Sequence, residues 1–438
     1  MGKQYRKWWW RSVLGIALLG IGGLVLSLSN ARLQLSQEGV HEALYLPLAP
    51  GAYAKVHTYA GSGDAPIMPG YLDGPVVRRT AGDHWSASWF CEKRVEHRDG
   101  SGQRLDIDCG GQSRRHLLGH MPTPSHNVAA MPEQLVVLSD IEGNLGYLEG
   151  ALARLQIVDG QGNWAYGQNH LVILGDSVDR GRDVSAVLWR LYGLTQQAHA
   201  AGGAVHTLLG NHEQYLLQGR MKSVHPALRY SAQQLGGYRS VFAGDTVLGD
   251  WLRKLPVVVQ IGPVLFAHGG ISASVARQGK SVQELNTIMR AYWRGETAPR
   301  DELELVLGRQ GLTQYRGYLE ALTPDYGQAG EDDVSLVLRT FGARHIVVGH
   351  TIVSKVQPLF GGRVYAVDVN SDAASGEVLL FERGVPRTVD IGVARNLPPK
   401  RAQARRSRSL FLTRPEDVQA VWQTIASNYE LAQLPYPY

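Results

Sequence analysis

Five short stretches in the middle of this 438-residue chain bring carboxylate, amide or imidazole side chains together in close order. They are SDIEGN from Ser139, GDSVDRG from Gly175, GNHE from Gly210, HGG from His268 and GHT from Gly349. Each follows directly on an apolar run that reads as a buried strand: LVVL, HLVIL, AVHTLL, PVLFA and HIVV. Any one of these motifs alone is ordinary turn chemistry. Five in succession, each with Asp, Asn or His, point to convergence on one centre. Carboxylate oxygens mixed with imidazole nitrogens are the donor set of a dinuclear hydrolytic site.

The ordered set GDSVDRG, GNHE, HGG and GHT resembles the calcineurin-like metallophosphoesterase superfamily. Within it the chain is most similar to the phosphoprotein phosphatase branch, and to that branch's bacterial Shewanella-like members, where LLGNHE and YRGY also recur. The resemblance covers about residues 134–383. It implies a β-sandwich flanked by helices, with two divalent metal ions at its edge. Mn²⁺ is expected first, with Fe, Zn or Mg as alternatives. By the same resemblance the metal ligands are Asp140, Glu142, Asp176, Asn211, His268 and His350, with Asp176 bridging. His212 is the expected general acid, oriented by Asp179, while Arg180, Asn211 and Arg316 bind the phosphate. The loop around Arg316 matches less closely, because Gln314 stands where the family has Trp, and Arg294 is its rival.

Those residue types suit ester hydrolysis. A metal-bound water has its pKa lowered towards about 7 and becomes an attacking hydroxide. Arginine's planar fork matches the phosphoryl oxygens, and imidazole titrates in the range a leaving group needs. The departure is Glu142, where the family pattern has His. Glutamate is a competent ligand. It adds a third formal negative charge to the ligand set, which should favour hard ions such as Mn²⁺ or Mg²⁺.

The elements that must position these residues alternate in type. LVVLSD, HLVILGD, AVHTLLGN, PVVVQIG, PVLFAHGG, HIVVGH and RVYAVDV read as strands, and residues 145–156 and 183–198 have helical spacing. The pattern is that of an α/β domain over 133–395. Ahead of it, residues 31–132 are rich in Gly, Pro and short alternating runs, a small β-rich module. Within it, Arg98-Asp99-Gly100-Ser101-Gly102 reads as a turn. A hairpin centred on Gly100 would set Cys91 opposite Cys109 and allow a disulfide. After the domain, residues 396–438 form a basic linker and a final helix, with a capping box at Thr413–Glu416.

Residues 1–30 read as a signal anchor or signal peptide. MGKQYRKWWWR is basic and aromatic, and residues 12–29 then run without a charge. About 18 apolar residues suffice to span a bilayer as a helix. A transmembrane helix here, with the basic flank inside, places the catalytic domain in the periplasm, or secreted there if the segment is cleaved. A disulfide fits that compartment.

The bulk properties exclude other classes. Hydrophobic residues make up 44% of the chain and charged residues 19%, which rules against wholesale disorder. The net charge of +5 resides mainly at the chain ends, so no nucleic-acid partner is expected. The sequence thus points to a phosphomonoesterase, with phosphoproteins as the first substrate class. A nucleotide or small-molecule phosphatase or phosphodiesterase, or a catalytically silent membrane-anchored binding protein, are the rivals. The basic, amphipathic stretch 218–250 is the expected cap over an anionic substrate.

Overall fold

The structure, a computed structural model, describes residues 22–23, 25–35, 41–49, 52–57, 70–80, 82–124, 127–221, 223–319, 326–369, 376–393, 395 and 406–432. The chain folds into two compact units. Met1–Ile67 and Pro398–Leu434 form the smaller, and Met68–Leu397 with Pro435–Tyr438 the larger.

In the smaller unit β1 (Arg32–Leu35), β2 (His41–Ala49) and β3 (Ala52–His57) form an antiparallel sheet, and β20 (Arg406–Ser409) pairs with the free side of β1. Leu33, Leu44 and Leu410 make its core, against which Leu28, Leu46 and Val421 pack. A helix, Pro415–Ala432, follows. The expected module 31–132 is therefore divided: its first strands take their partner from the far end of the chain, and its remainder belongs to the larger unit. Residues 25–29 are helical. Most of the expected anchor, residues 12–29, lies outside the described residues. Among the described residues no helix is long and apolar enough to cross a membrane.

The larger unit opens with a three-stranded sheet, β4 (Leu72–Arg79), β5 (His84–Cys91) and β6 (Arg94–Ser101), and a hairpin of β7 (Arg104–Cys109) and β8 (Gln112–Leu117). The disulfide Cys91–Cys109 is present. The hairpin predicted to carry it is not. The strand turns at Glu92, which takes a left-handed φ of 54°, so that β5 pairs with β6 and Cys91 faces Arg94. Gly100 lies within β6, under the Trp85 ring, where a side chain would collide with the indole. The glycine serves packing, and the bond joins two separate sheets.

Two mixed sheets follow. The first has the order β12 (Ala204–Thr207), β11 (His170–Ile173), β10 (Gln134–Leu138), β18 (Glu377–Glu382), β19 (Val385–Asp390). The second runs β16 (Gln357–Leu359), β17 (Val364–Ala366), β15 (His345–Val348), β14 (Val264–Ala267), β13 (Val258–Ile261), β9 (Asn127–Val128). They face one another through Phe381 of β18, whose ring lies 6.3 Å from Phe266 of β14 and 6.4 Å from Tyr365 of β17. Within each sheet the strands that end in the polar motifs are parallel: β10, β11 and β12 in one, β14 and β15 in the other. Parallel neighbours end on the same edge, so all the motifs in a sheet emerge side by side. The seven apolar runs read as strands are β10, β11, β12, β13, β14, β15 and β17.

Candidate active site and metal centre

Asp176 follows β11, His268 follows β14 and His350 follows β15. One ligand atom from each lies within 4.8 Å of the others, and all three residues are buried. Asp176 Oδ2 is 3.1 Å from His268 Nε2. Around this trio stand the other expected residues. Asn211 Oδ1 is 3.1 Å from His268 Nε2. The His350 backbone N–H donates to Asp140 Oδ2 at 3.2 Å. His212 N–H donates to Asp176 Oδ1 at 2.9 Å, and its ring Nδ1 meets Asp179 Oδ2 at 2.7 Å.

The backbone is strained where it delivers these groups. Asp140, Glu142, Asp176, Asp179, Arg180 and His350 all have φ between 48° and 67°, the left-handed region that side chains avoid. Glycines let these loops approach closely, within a sheet at Gly210 and between the two sheets at Gly349. At Gly210 a Cβ would overlap the Asp176 carboxylate, and at Gly349 it would overlap Ser139 and Asp140.

Burial opposes protonation of His212, but the Asp176 charge and the Asp179 hydrogen bond outweigh it and raise its pKa to about 9. In the metal-free site its proton is therefore held at neutral pH. His268 is likewise raised to about 10, because Asp176 and Asp140 override the cost of burial. His350 is pushed down by burial and by His268 and Arg316. Without metal, two proton-holding imidazoles, His212 and His268, and one neutral imidazole, His350, surround the buried Asp176 carboxylate.

Over residues 134–354 the sequence matches the calcineurin-like phosphoesterases. The chain belongs to that family. It is 25% identical over 224 residues to Shewanella-like protein phosphatase 1 of Plasmodium berghei, covering 50% of this chain and 61% of that protein. With Shewanella-like protein phosphatase 2 of Arabidopsis thaliana it is 24% identical over 264 residues, covering 50% and 66%. The chain thus spans less than two thirds of the length of either relative. Among solved structures, the cold-active protein-tyrosine phosphatase of a psychrophilic Shewanella species is similar at 32% identity and a TM-score of 0.63. That match covers 73% of this chain and 99% of the other.

Divalent ions of the kind calcineurin-like phosphoesterases use fit the residues present. Asp176, His268 and His350 offer one carboxylate oxygen and two imidazole nitrogens in a buried cluster, and His350 Nε2 has no hydrogen-bond partner among the described residues. Cation and proton compete for His268, so metal uptake must release protons.

Glu142 departs from the family pattern in its surroundings as well as its identity. One carboxylate oxygen contacts Arg180 Nη1, and the other lies 3.9 Å from Arg395 Nε. Arg395 is buried, donates to the Asp140 carbonyl, and reaches Asp368 Oδ1 at 2.8 Å. The third negative charge expected of Glu142 is thus offset by two guanidiniums. Burial still raises the Glu142 pKa, with Arg395 and Arg180 opposing. Asp368 is raised to about 7 by burial and by Asp140.

Sequence reasoning missed Arg395, Asp368 and Glu213. Glu213 accepts backbone N–H groups from Gly210, Asp176 and Ser177 at 2.7, 2.9 and 2.7 Å, tying the GDS loop to the GNHE loop. Its signal was visible, since a Glu three residues after Gly210 opens a helix in capping-box spacing. Asp368 is the second-to-last residue of RVYAVDV, two residues past the end of β17, and the strand-end rule applied to the other motifs would have found it. Arg395 carries no motif.

Of the two rivals for the second phosphate clamp, Arg316 is at the site. It donates to the His350 carbonyl at 2.6 Å and to Thr351 Oγ1 at 3.2 Å. Arg294 is paired with Glu296 at 2.5 Å on the surface.

Proposed function

We propose that this protein is a metal-dependent phosphatase that hydrolyses phosphomonoesters, with phosphoproteins as its first substrate class. The observation that carries the reading is the His212–Asp179 pair, 2.7 Å apart and set against Asp176 of the metal-binding trio. The likeness to a protein-tyrosine phosphatase and to Shewanella-like protein phosphatases supports the substrate class.

Asp140, Glu142, Asp176, Asn211, His268 and His350 are the residues to hold two divalent ions, Mn²⁺ first. Bound there, such ions supply Lewis acidity to the phosphoryl oxygens and make water nucleophilic near neutral pH. The chain's own groups do the rest. His212 keeps its proton at Nε2 for the leaving oxygen, because Asp179 fixes Nδ1 as the second donor. Arg180 and Arg316 flank the trio and bind the phosphate. Arg180 comes to the substrate from its contact with Glu142, so its guanidinium is already held beside the metal ligands. The proposal extends to place. The uncharged run 12–29 anchors the chain in the inner membrane, and the Cys91–Cys109 disulfide suits a periplasmic catalytic unit.

Hydrolysis of a generic aryl phosphate by purified protein with added Mn²⁺ tests the activity. His212→Ala should lower kcat by about 100-fold or more while metal content is unchanged. A wild type that binds metal and turns over no phosphate ester overturns the reading. A panel of phosphotyrosine and phosphoserine peptides, nucleotides and sugar phosphates tests the substrate class, and highest kcat/KM on nucleotides would replace phosphoproteins with the small-molecule alternative.

A further inference from the structure

Large exposed hydrophobic side chains are distributed unevenly over this molecule. Among the described residues Val25, Leu26, Leu48, Tyr53, Phe411, Leu412, Val418, Trp422, Ile425 and Tyr429 belong to the smaller unit, and only Ile352 and Val385 to the larger. Single exposed apolar residues mean nothing, but a concentration of this kind marks a surface built to meet something apolar.

Four of these ten, Val418, Trp422, Ile425 and Tyr429, lie on the helix Pro415–Ala432. Its inward face carries Asp417, Ala420 and Thr424, all buried, while Val418, Trp422, Ile425 and Tyr429 point outward. The outward residues fall at i, i+4, i+7 and i+11, one stripe along the helix. A helix on a water-facing surface does the reverse, burying its large apolar residues and showing its polar ones. The orientation here is fixed by polar bonds. Asp417 receives Arg408 Nη1 at 2.8 Å and Nη2 at 2.5 Å, and the Phe411 N–H at 2.9 Å. Rolling the helix to hide Trp422, 70% exposed, would break that buried ion pair.

We propose that this stripe is a membrane-docking face, and that its occupant is the surface of an anionic lipid bilayer. Three features select lipid. First, Trp422 and Tyr429 are the side chains that settle at the headgroup level, with Val418 and Ile425 between them. Second, Lys400, Arg401, Arg405 and Arg406 precede the helix, with no acidic residue between Ile391 and Pro415. Such a run is attracted to anionic headgroups, and a second copy would bring equal charges together. Third, residues 25–29, the described end of the uncharged run 12–29, belong to this same unit, where Leu28 and Val421 pack on one core and Val25 and Leu26 are exposed. The inference rests on the membrane placement proposed above and is independent of the phosphatase activity.

The native cysteines are both in the disulfide, so one introduced cysteine gives one spin label. The full chain carrying Val418→Cys, Trp422→Cys, Ile425→Cys or Tyr429→Cys is reconstituted into phosphatidylethanolamine vesicles with phosphatidylglycerol. Collision with oxygen and with an aqueous nickel chelate is then compared. Labels on the stripe should favour oxygen, and Val385→Cys in the larger unit should favour nickel. The double variant Trp422→Asp, Ile425→Asp should move a label at 418 back towards nickel while leaving hydrolysis of a soluble aryl phosphate unchanged. Nickel access along the whole stripe overturns the proposal. So does spin–spin broadening independent of lipid, which indicates a second copy. Shielding of the stripe from both reagents does too, since the chain itself then covers it.

Discussion

Glu142 and Arg395 show how one changed residue alters its neighbourhood. A carboxylate in place of an imidazole would leave a buried negative charge beside Asp140 and Asp176. Here Arg395, buried itself, and Arg180 offset it. Removing one partner of a buried charged group costs about 3–5 kcal/mol, whereas removing both can be nearly neutral. Arg395→Met should therefore lower the melting temperature of metal-free protein, and Glu142→Gln added to it should recover part of the loss. Thermal melts of the two single variants and the double variant measure the coupling. Purely additive effects would show that Arg395 acts by packing alone. Arg180 gives a second readout: Glu142→Gln removes the carboxylate that it contacts, and a changed KM for aryl phosphate with metal content held constant is the expected mark.

Elements of this chain are stabilised by groups whose charge state depends on pH. His116, on β8, packs against the Trp189 ring of helix Val184–Ala200 at 5.1 Å, and its Nε2 makes no hydrogen bond among the described residues. Burial, with Arg114 nearby, lowers its pKa to about 3. The unfolded chain takes up this proton near about pH 6.5, the folded one only near 3. Between those values the unfolded state binds more protons, so stability falls as pH falls, by about 1.4 kcal/mol per pH unit. His116→Phe should leave stability at pH 8 little changed and flatten the decline between pH 6 and 4, as urea titrations at several pH values would show. Elements also separate what sequence reveals from what it hides. The strands ending in SDIEGN, GDSVDRG, GNHE, HGG and GHT were legible because apolar run and polar motif are adjacent in the chain. The hairpin about Gly100 was misread. Its glycine matches a turn signal, but the real turn uses Glu92 with a left-handed φ, and Gly100 is needed beneath Trp85. A local pattern cannot distinguish a glycine that turns the chain from one that makes room.

At the scale of the molecule the hidden contacts are those between distant parts of the chain. β1 pairs with β20, and Arg395 comes from beyond the last family motif to touch Asp140, Glu142 and Asp368. No spacing rule links such residues, which is why the smaller unit and the counter-ion were both unforeseen. Their separation along the chain makes them separable by truncation. Ending the chain after Leu397 removes β20 and the helix Pro415–Ala432, leaving the β1 edge unpaired and the smaller unit's core without Leu410 and Val421. Every residue of the proposed site remains, so kcat on an aryl phosphate should stay within about twofold of wild type, while the open edge promotes association. Ending the chain after Val393 removes four residues more, among them Arg395. That second truncation should lose activity and melt lower in metal-free form, because Asp368 is left in the interior without its guanidinium and Glu142 with Arg180 alone. Assays of the two truncated proteins side by side decide the point. Equal activity in both would show that Arg395 is dispensable, and equal loss in both would show that the catalytic unit needs the smaller one.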